Sequence, residues 1–184
     1  MTLYVVLGIV VLLVLYVIFA FNSLIRRRNQ AEEAVADIEV QLKRRYDLIP
    51  NVLETVKGYA THEKGVLENV TKARSQAMGA RTAEEHAQAE NMLTNTLKTL
   101  FAVAEAYPDL KANANFLDLQ RELADTENKI QASRRFYNGV VRDLNTAIES
   151  FPTNIIASAF RFAKKEFFDL EDSHPAQEPV KVKF

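Results

Sequence analysis

AEEAVADIEVQLKRRYDLIPNVLETVKGYATHEKGVLENVTKARSQA (residues 31–77) carries the pattern that decides the fold. Steps of four and three residues, taken alternately, land on Ala31, Val35, Ile38, Leu42, Arg45, Ile49, Val52, Val56, Tyr59, Glu63, Val66, Val70, Ala73 and Ala77. Twelve of these fourteen positions are apolar, and the exceptions are Arg45 and Glu63. An apolar side chain every ~3.5 residues marks a helix packed in a left-handed bundle or coiled coil. Between residues 22 and 78 only Pro50 and two glycines oppose one continuous helix. Pro50 removes one backbone hydrogen bond and is expected to bend that helix.

Immediately upstream, LYVVLGIVVLLVLYVIFAF (residues 3–21) holds nineteen residues without a charge. As a helix it extends ~29 Å, against ~30 Å for a bilayer's hydrocarbon core. A buried core helix is rarely apolar on every face, so a membrane span is expected. A cleaved signal peptide needs a basic start and a small-x-small exit. Met1 and Thr2 carry no side-chain charge and the exit reads FAFNS, so the span is expected to stay as an anchor. Arg26, Arg27 and Arg28 follow it directly. The positive-inside rule then predicts an inner-membrane, single-pass protein with its N-terminus outside and residues 23–184 in the cytoplasm. Tyr4, Phe19 and Phe21 suit the interfaces, whereas Tyr16 lies too deep for that role.

Downstream, GART (residues 79–82) reads as a turn, and Thr82 with Glu85 forms a capping box. A second helix is expected from residue 83 to about 106, with a stripe of Ala89, Leu93, Thr96, Leu97, Leu100, Ala104 and Tyr107, ended by Pro108. Asn113, Ala114 and Asn115 suit a connector. A third helix is expected from about 116 to 150, striped by Leu119, Leu123, Ile130, Tyr137, Val140, Val141, Leu144 and Ile148. Residues 154–170 are aromatic and expected to be partly helical. Val180 to Phe184 alternates like a short strand. The predicted architecture is all-α: one N-terminal transmembrane helix, then an antiparallel up-and-down bundle of three long helices plus a short fourth. Its divisions are an anchor (1–22), a bundle (23–170) and a polar tail (171–184).

Composition narrows the function. The 184 residues carry 23 Lys and Arg against 24 Asp and Glu, a net charge of −1. That balance argues against a nucleic-acid binder. The absence of Cys removes disulfides, thiolate metal sites and Cys nucleophiles. His86 stands four residues before Glu90, and His174 three after Glu171. The first spacing fits ligation on one helix face, but a solvated His/Glu pair is the simpler reading. The second matches Glu-x-x-His only once and lies in a Pro-flanked tail, where a di-metal bundle would need a second such motif and two more Glu. The glycines are isolated, so no phosphate-cradling loop is present. Neighbouring carboxylates such as Glu32 and Glu33 diverge by ~100° on a helix and cannot clamp one substrate. No cofactor and no enzymatic activity are expected.

Two polar clusters are less ordinary. One is QLKRRYDLIPN (residues 41–51), with Arg44, Arg45 and Asp47; the other is FLDLQRELADTENKIQASRRFYN (residues 116–138), with Glu122, Glu127, Arg134 and Arg135. Arg45 falls on the apolar seam. A buried guanidinium is costly unless paired, so a carboxylate of the third helix, Glu122 or Glu127, is expected to face it. An interhelical network that fixes register is the leading reading of these seven residues, ahead of a ligand or partner site.

These two segments, with AEAYPDLKAN (residues 104–113) and SFP (residues 150–152), resemble the LemA family over about residues 20–170. The resemblance implies a membrane-anchored helical bundle. The family has no established catalytic residues, so none are carried over.

Helix lengths yield one more expectation. The second and third helices extend ~36 Å and ~53 Å, against ~80 Å for the first. Residues 31–49 are then left with an apolar seam and little cover from the rest of the chain. A second copy is expected to cover it, giving a homo-oligomer; the alternative is that the aromatic segment folds down over it. The protein is read as a self-associating scaffold or adaptor for an unidentified protein partner. Membrane organisation through Phe160, Phe162, Phe167 and Phe168 ranks lower, because this topology puts them far from the anchor's bilayer. Ligand sensing through the Arg45 network is a further reading.

Overall fold

A computed structural model describes residues 1–60, 62–80 and 83–168. Six helices follow in order: α1 (Thr2–Lys57), α2 (Lys64–Gly79), α3 (Ala83–Ala104), α4 (Pro108–Lys111), α5 (Ala114–Glu149) and α6 (Thr153–Ala159). Among the described residues there is no strand, and the architecture is the all-α bundle expected. The cap at Thr82, the polar tail and the C-terminal alternation lie outside the described residues.

The first long helix ends earlier than its repeat suggests. α1 runs through Pro50, which is exposed, and stops at Lys57. The amides of Tyr59 and Ala60 both donate to the Val56 carbonyl, closing the helix in a tight turn at 3.0 and 2.8 Å. Gly58, the weakest helix former near this point, begins the turn. Glu63 then precedes α2, and buried side chains resume only at Val70, Ala73 and Ala77. Among the described residues the expected first helix is thus divided into α1 and α2, and the short α4 stands where no helix was expected. The apolar step at Tyr59 falls in a turn, not on a helix face.

The chain divides into two compact units, residues 1–42 with 128–167, and a second built on residues 43–127. In the second unit, α2 doubles back beside α1, bringing Arg74 to the Tyr46 carbonyl (Nε to O, 2.8 Å). α3 returns against α2. At its far end the Tyr107 hydroxyl reaches the Glu63 carboxylate at 3.0 Å. Asn113 turns the chain into α5: its Oδ1 accepts the Phe116 amide at 3.0 Å, capping the helix. Its Nδ2 donates to the Tyr59 hydroxyl at 2.9 Å. The core here is aliphatic, with Ile49, Val52, Val56, Val70, Leu93, Leu100 and Leu110 all at 0% exposure.

In the first unit, residues 1–15 of α1 are exposed on every face. From Tyr16 onward the helix acquires cover. Ala20 and Leu24 pack with Leu144 of α5 and with Ile156 and Ala157 of α6, flanked by Tyr16, Phe21, Ala147, Ile148 and Phe162. Further along, Ala31, Ala34, Ile38 and Leu42 are buried too. The expectation that this seam lacks intramolecular cover is therefore corrected. α5 is a helix of 36 residues whose second half belongs to this unit, and that places α6 on α1.

A turn through the cis Phe151–Pro152 bond joins α5 to α6. α6 ends at Ala159, and Arg161, just past the Phe160 cap, has a φ of 58° in the left-handed region. The Phe162 amide reaches back to the Ala157 carbonyl at 2.9 Å, the six-residue closure typical of helix C-termini. The chain then runs extended along α5. Asn145 holds Lys165 by both backbone groups, at 2.9 and 3.0 Å, and the Tyr137 hydroxyl donates to the Glu166 carbonyl at 2.9 Å.

Candidate functional site: a buried arginine network

Arg45 is the largest fully buried side chain of the second unit, at 1% exposure. The α1 periodicity that buries Leu42 and Ile49 also buries this guanidinium, so its charge must be met inside the protein. Its Nη1 lies 2.6 Å from Glu127 Oε2 on α5 and 3.1 Å from Thr94 Oγ1 on α3. Its Nη2 pairs with Glu90 Oε2 on α3. Glu90, equally buried, also accepts the Tyr46 hydroxyl. One cation thus ties α1 to α3 and α5, and two carboxylates, a threonine and a tyrosine complete the cluster.

Arg44, one residue earlier, reaches Glu122 at 3.4 Å on the solvent side. Asp47 and Arg135 are exposed. Arg134 is buried in the first unit. The seven residues singled out in the sequence therefore do not form one cluster. Arg45 and Glu127 sit inside the network, Arg44 and Glu122 form a separate exposed pair, and the other three lie elsewhere.

Glu90, Thr94 and Tyr46 belong to the network and were not among those seven. The reading of Glu90 as part of a solvated face is corrected, since Arg45 and Tyr46 occupy its carboxylate. The signal was present: Glu90, Leu93, Leu97, Leu100 and Ala104 follow steps of three and four, and all five are buried. Among the described residues no group of His, Asp and Glu is arranged to hold a metal ion. Glu171 and His174 lie outside the described residues.

Two hollows lie in the same unit. One, of about 210 Å³, adjoins the network and is bounded by Arg45, Thr94, Phe101, Gln120 and Glu127, with Lys98 at its edge. Arg45 Nε is buried without a hydrogen-bond partner among the described residues. The other is an open groove of about 680 Å³ between the end of α1 and the start of α2. Leu53 and Leu67 provide its apolar surface, and Lys57, Lys64 and Lys72 stand around it with Glu54 and Glu68.

Two phenols have raised pKa values. At Tyr107 the hydrogen bond to Glu63 is the main cause, followed by desolvation and by the carboxylate's charge. At Tyr137 burial leads, with the charge of Glu166 adding to it.

The sequence profile of the LemA family matches residues 34–184. The chain belongs to the LemA family. Protein LemA of Metamycoplasma hominis is 28% identical over 137 residues, 74% of this chain and 63% of that protein. Magnetosome protein MamQ of Magnetospirillum gryphiswaldense is 20% identical over 174 residues, 80% of this chain and 64% of that protein. A MamQ protein of Paramagnetospirillum magneticum is also 20% identical, over 86% of this chain and 68% of its own length. The chain thus spans a little under two thirds of the first two relatives. None of these names states a reaction. The family match includes the whole Arg45 network and begins beyond the uncharged apolar run of residues 3–21.

Proposed function

We propose that this LemA-family chain is a membrane-anchored, non-catalytic adaptor. It is held in the inner membrane by the first part of α1, with its N-terminus outside and its bundle in the cytoplasm. The observation that carries the reading is the groove between α1 and α2, which no described residue fills. Its leucine surface and three lysines suit an amphipathic helix with an acidic edge, seated by its apolar face. The Arg45 network supports the non-catalytic part. Its cation is held between Glu90 and Glu127, so these groups fix helix register instead of meeting a substrate. Ala31, Ala34, Ile38 and Leu42 are covered within the chain, so this reading does not use the α1 seam for self-association.

The test is a photo-crosslinking residue at Leu67, compared with one at the exposed Glu39, in intact membranes. The adaptor reading predicts one discrete protein adduct from Leu67, none from Glu39, and loss of the adduct on Leu53→Asp. No adduct from Leu67 contradicts it.

The hollow beside Arg45 favours a second reading, a small acceptor ligand seated next to the buried network. A thermal shift with small carboxylates that disappears in Thr94→Leu supports this reading. Unchanged melting across such a panel opposes it.

A further inference from the structure

We infer that α6 and the turns on either side of it form a second membrane contact, sunk into the leaflet from which the anchor emerges. The inference rests on reading the start of α1 as a membrane span.

The length of bare helix carries the argument. α1 is uncovered on every face only from Thr2 to Leu15, fourteen residues; beyond them Val17, Ile18 and Phe19 stay exposed while Tyr16 and Ala20 are covered. Fourteen helical residues extend ~21 Å, about 9 Å short of the ~30 Å hydrocarbon core. Tilting shortens the projection further. The span is completed only by the next six residues, 16 to 21, and these are where α6 packs. The Tyr16 hydroxyl lies 3.3 Å from Thr153 Oγ1 at the first residue of α6. Ala20 shares one buried apolar cluster with Ile156 and Ala157. The Phe21 ring lies 4.8 Å from Phe160 and 5.8 Å from Phe162. Whatever carries residues 16–21 into the hydrocarbon carries α6 with it.

The exposed surface of this tip has the matching chemistry. Phe151 is 80% exposed, Ile155 61% and Phe160 55%. In water these would form a costly apolar patch; at a bilayer boundary they are the expected side chains. Cations stand beside them. Arg28 lies over the Phe162 ring, 5.9 Å from its centre, and Arg161 and Lys164 are exposed. Aromatic rings at the boundary with basic groups just outside form an interfacial belt. Continuity with the span selects a lipid leaflet as the occupant, ahead of a second chain. The tyrosine that looked too deep for an interface is the residue that seats α6 there.

The chain has no Cys, so single labels can be placed cleanly. Val10→Cys, Ile155→Cys and Glu39→Cys of the full chain would each carry a polarity-sensitive fluorophore. Each would be reconstituted in phosphatidylcholine–phosphatidylglycerol vesicles with acyl-brominated lipid as quencher. The inference predicts that labels at both 10 and 155 lose roughly half or more of their emission while the label at 39 is unaffected. Quenching at 10 with none at 155 overturns the inference and leaves the span intact. Quenching at neither position overturns the span reading itself, and the inference with it.

Discussion

Arg45 is a buried cation on an apolar face, and its energetics follow from what surrounds it. Removing it leaves Glu90 and Glu127 without their cation, and Glu90 is fully buried. Breaking a buried pair in this way costs about 3–5 kcal/mol. Arg45→Met is therefore expected to lower the melting temperature sharply. Adding Glu90→Leu to Arg45→Met is expected to recover much of the loss, since an apolar replacement of the pair is often tolerated. Circular dichroism of the three proteins in detergent checks both points. The phenols give a second prediction. Tyr107 and Tyr137 have folded pKa values above that of an unfolded tyrosine, about 10. The folded state then holds these protons more tightly, so their contribution is complete below pH ~10 and falls as pH rises through the folded values. Tyr137→Phe is expected to flatten the alkaline side of the stability profile and to cost the hydrogen bond to Glu166 at neutral pH. An alkaline limb unchanged by that substitution would contradict this account. At this scale the sequence was partly legible. Arg45 stood out because it interrupts an apolar series, and helix pairing brought Glu127 to it. Glu90 escaped because its spacing from His86 suggested a different role, although its own heptad continues through Leu93 and Leu97.

Helix ends decide the elements. Just past α6, Arg161 sits at positive φ, a conformation that costs a side chain roughly 1 kcal/mol and suits glycine. Arg161→Gly is expected to raise stability by about that amount, provided the substitution leaves Phe162 on α1. Asn113 caps α5 and also holds Tyr59, so Asn113→Ala is expected to cost about 1 kcal/mol or more. Unfolding curves of the two variants read these opposite signs directly. The cap at Asn113 was readable as a polar residue before a helix, yet it passed as part of a connector. The end of α1 was harder to read. Tyr59 and Val66 continue the 3.5-residue spacing by coincidence, and only Gly58 and the polar Glu63 hint at the turn between them. Steps of three and four describe a helix face only where the chain stays helical, and a short turn can preserve the count while losing the face.

At the scale of the molecule, the apolar run of residues 3–21 and the all-α bundle were plain from composition and spacing. The path of the chain after α5 was not, because residues 151–168 have too little periodicity to say which way they turn. They turn onto α1, and two consequences follow. The α1 seam is closed by the chain itself, and the aromatic segment lies at the level of the anchor instead of far from it. The central claim is that one chain satisfies its own apolar faces and presents a groove and a membrane contact to other components. The mass of the full-length protein in mild detergent, by light scattering corrected for bound detergent, tests this most directly. The account predicts one chain of 20.9 kDa per particle across a range of concentrations. A discrete multimer that persists on dilution and dissociates on Ile38→Asp would contradict it, and would return the α1 seam to the role of an interface between copies.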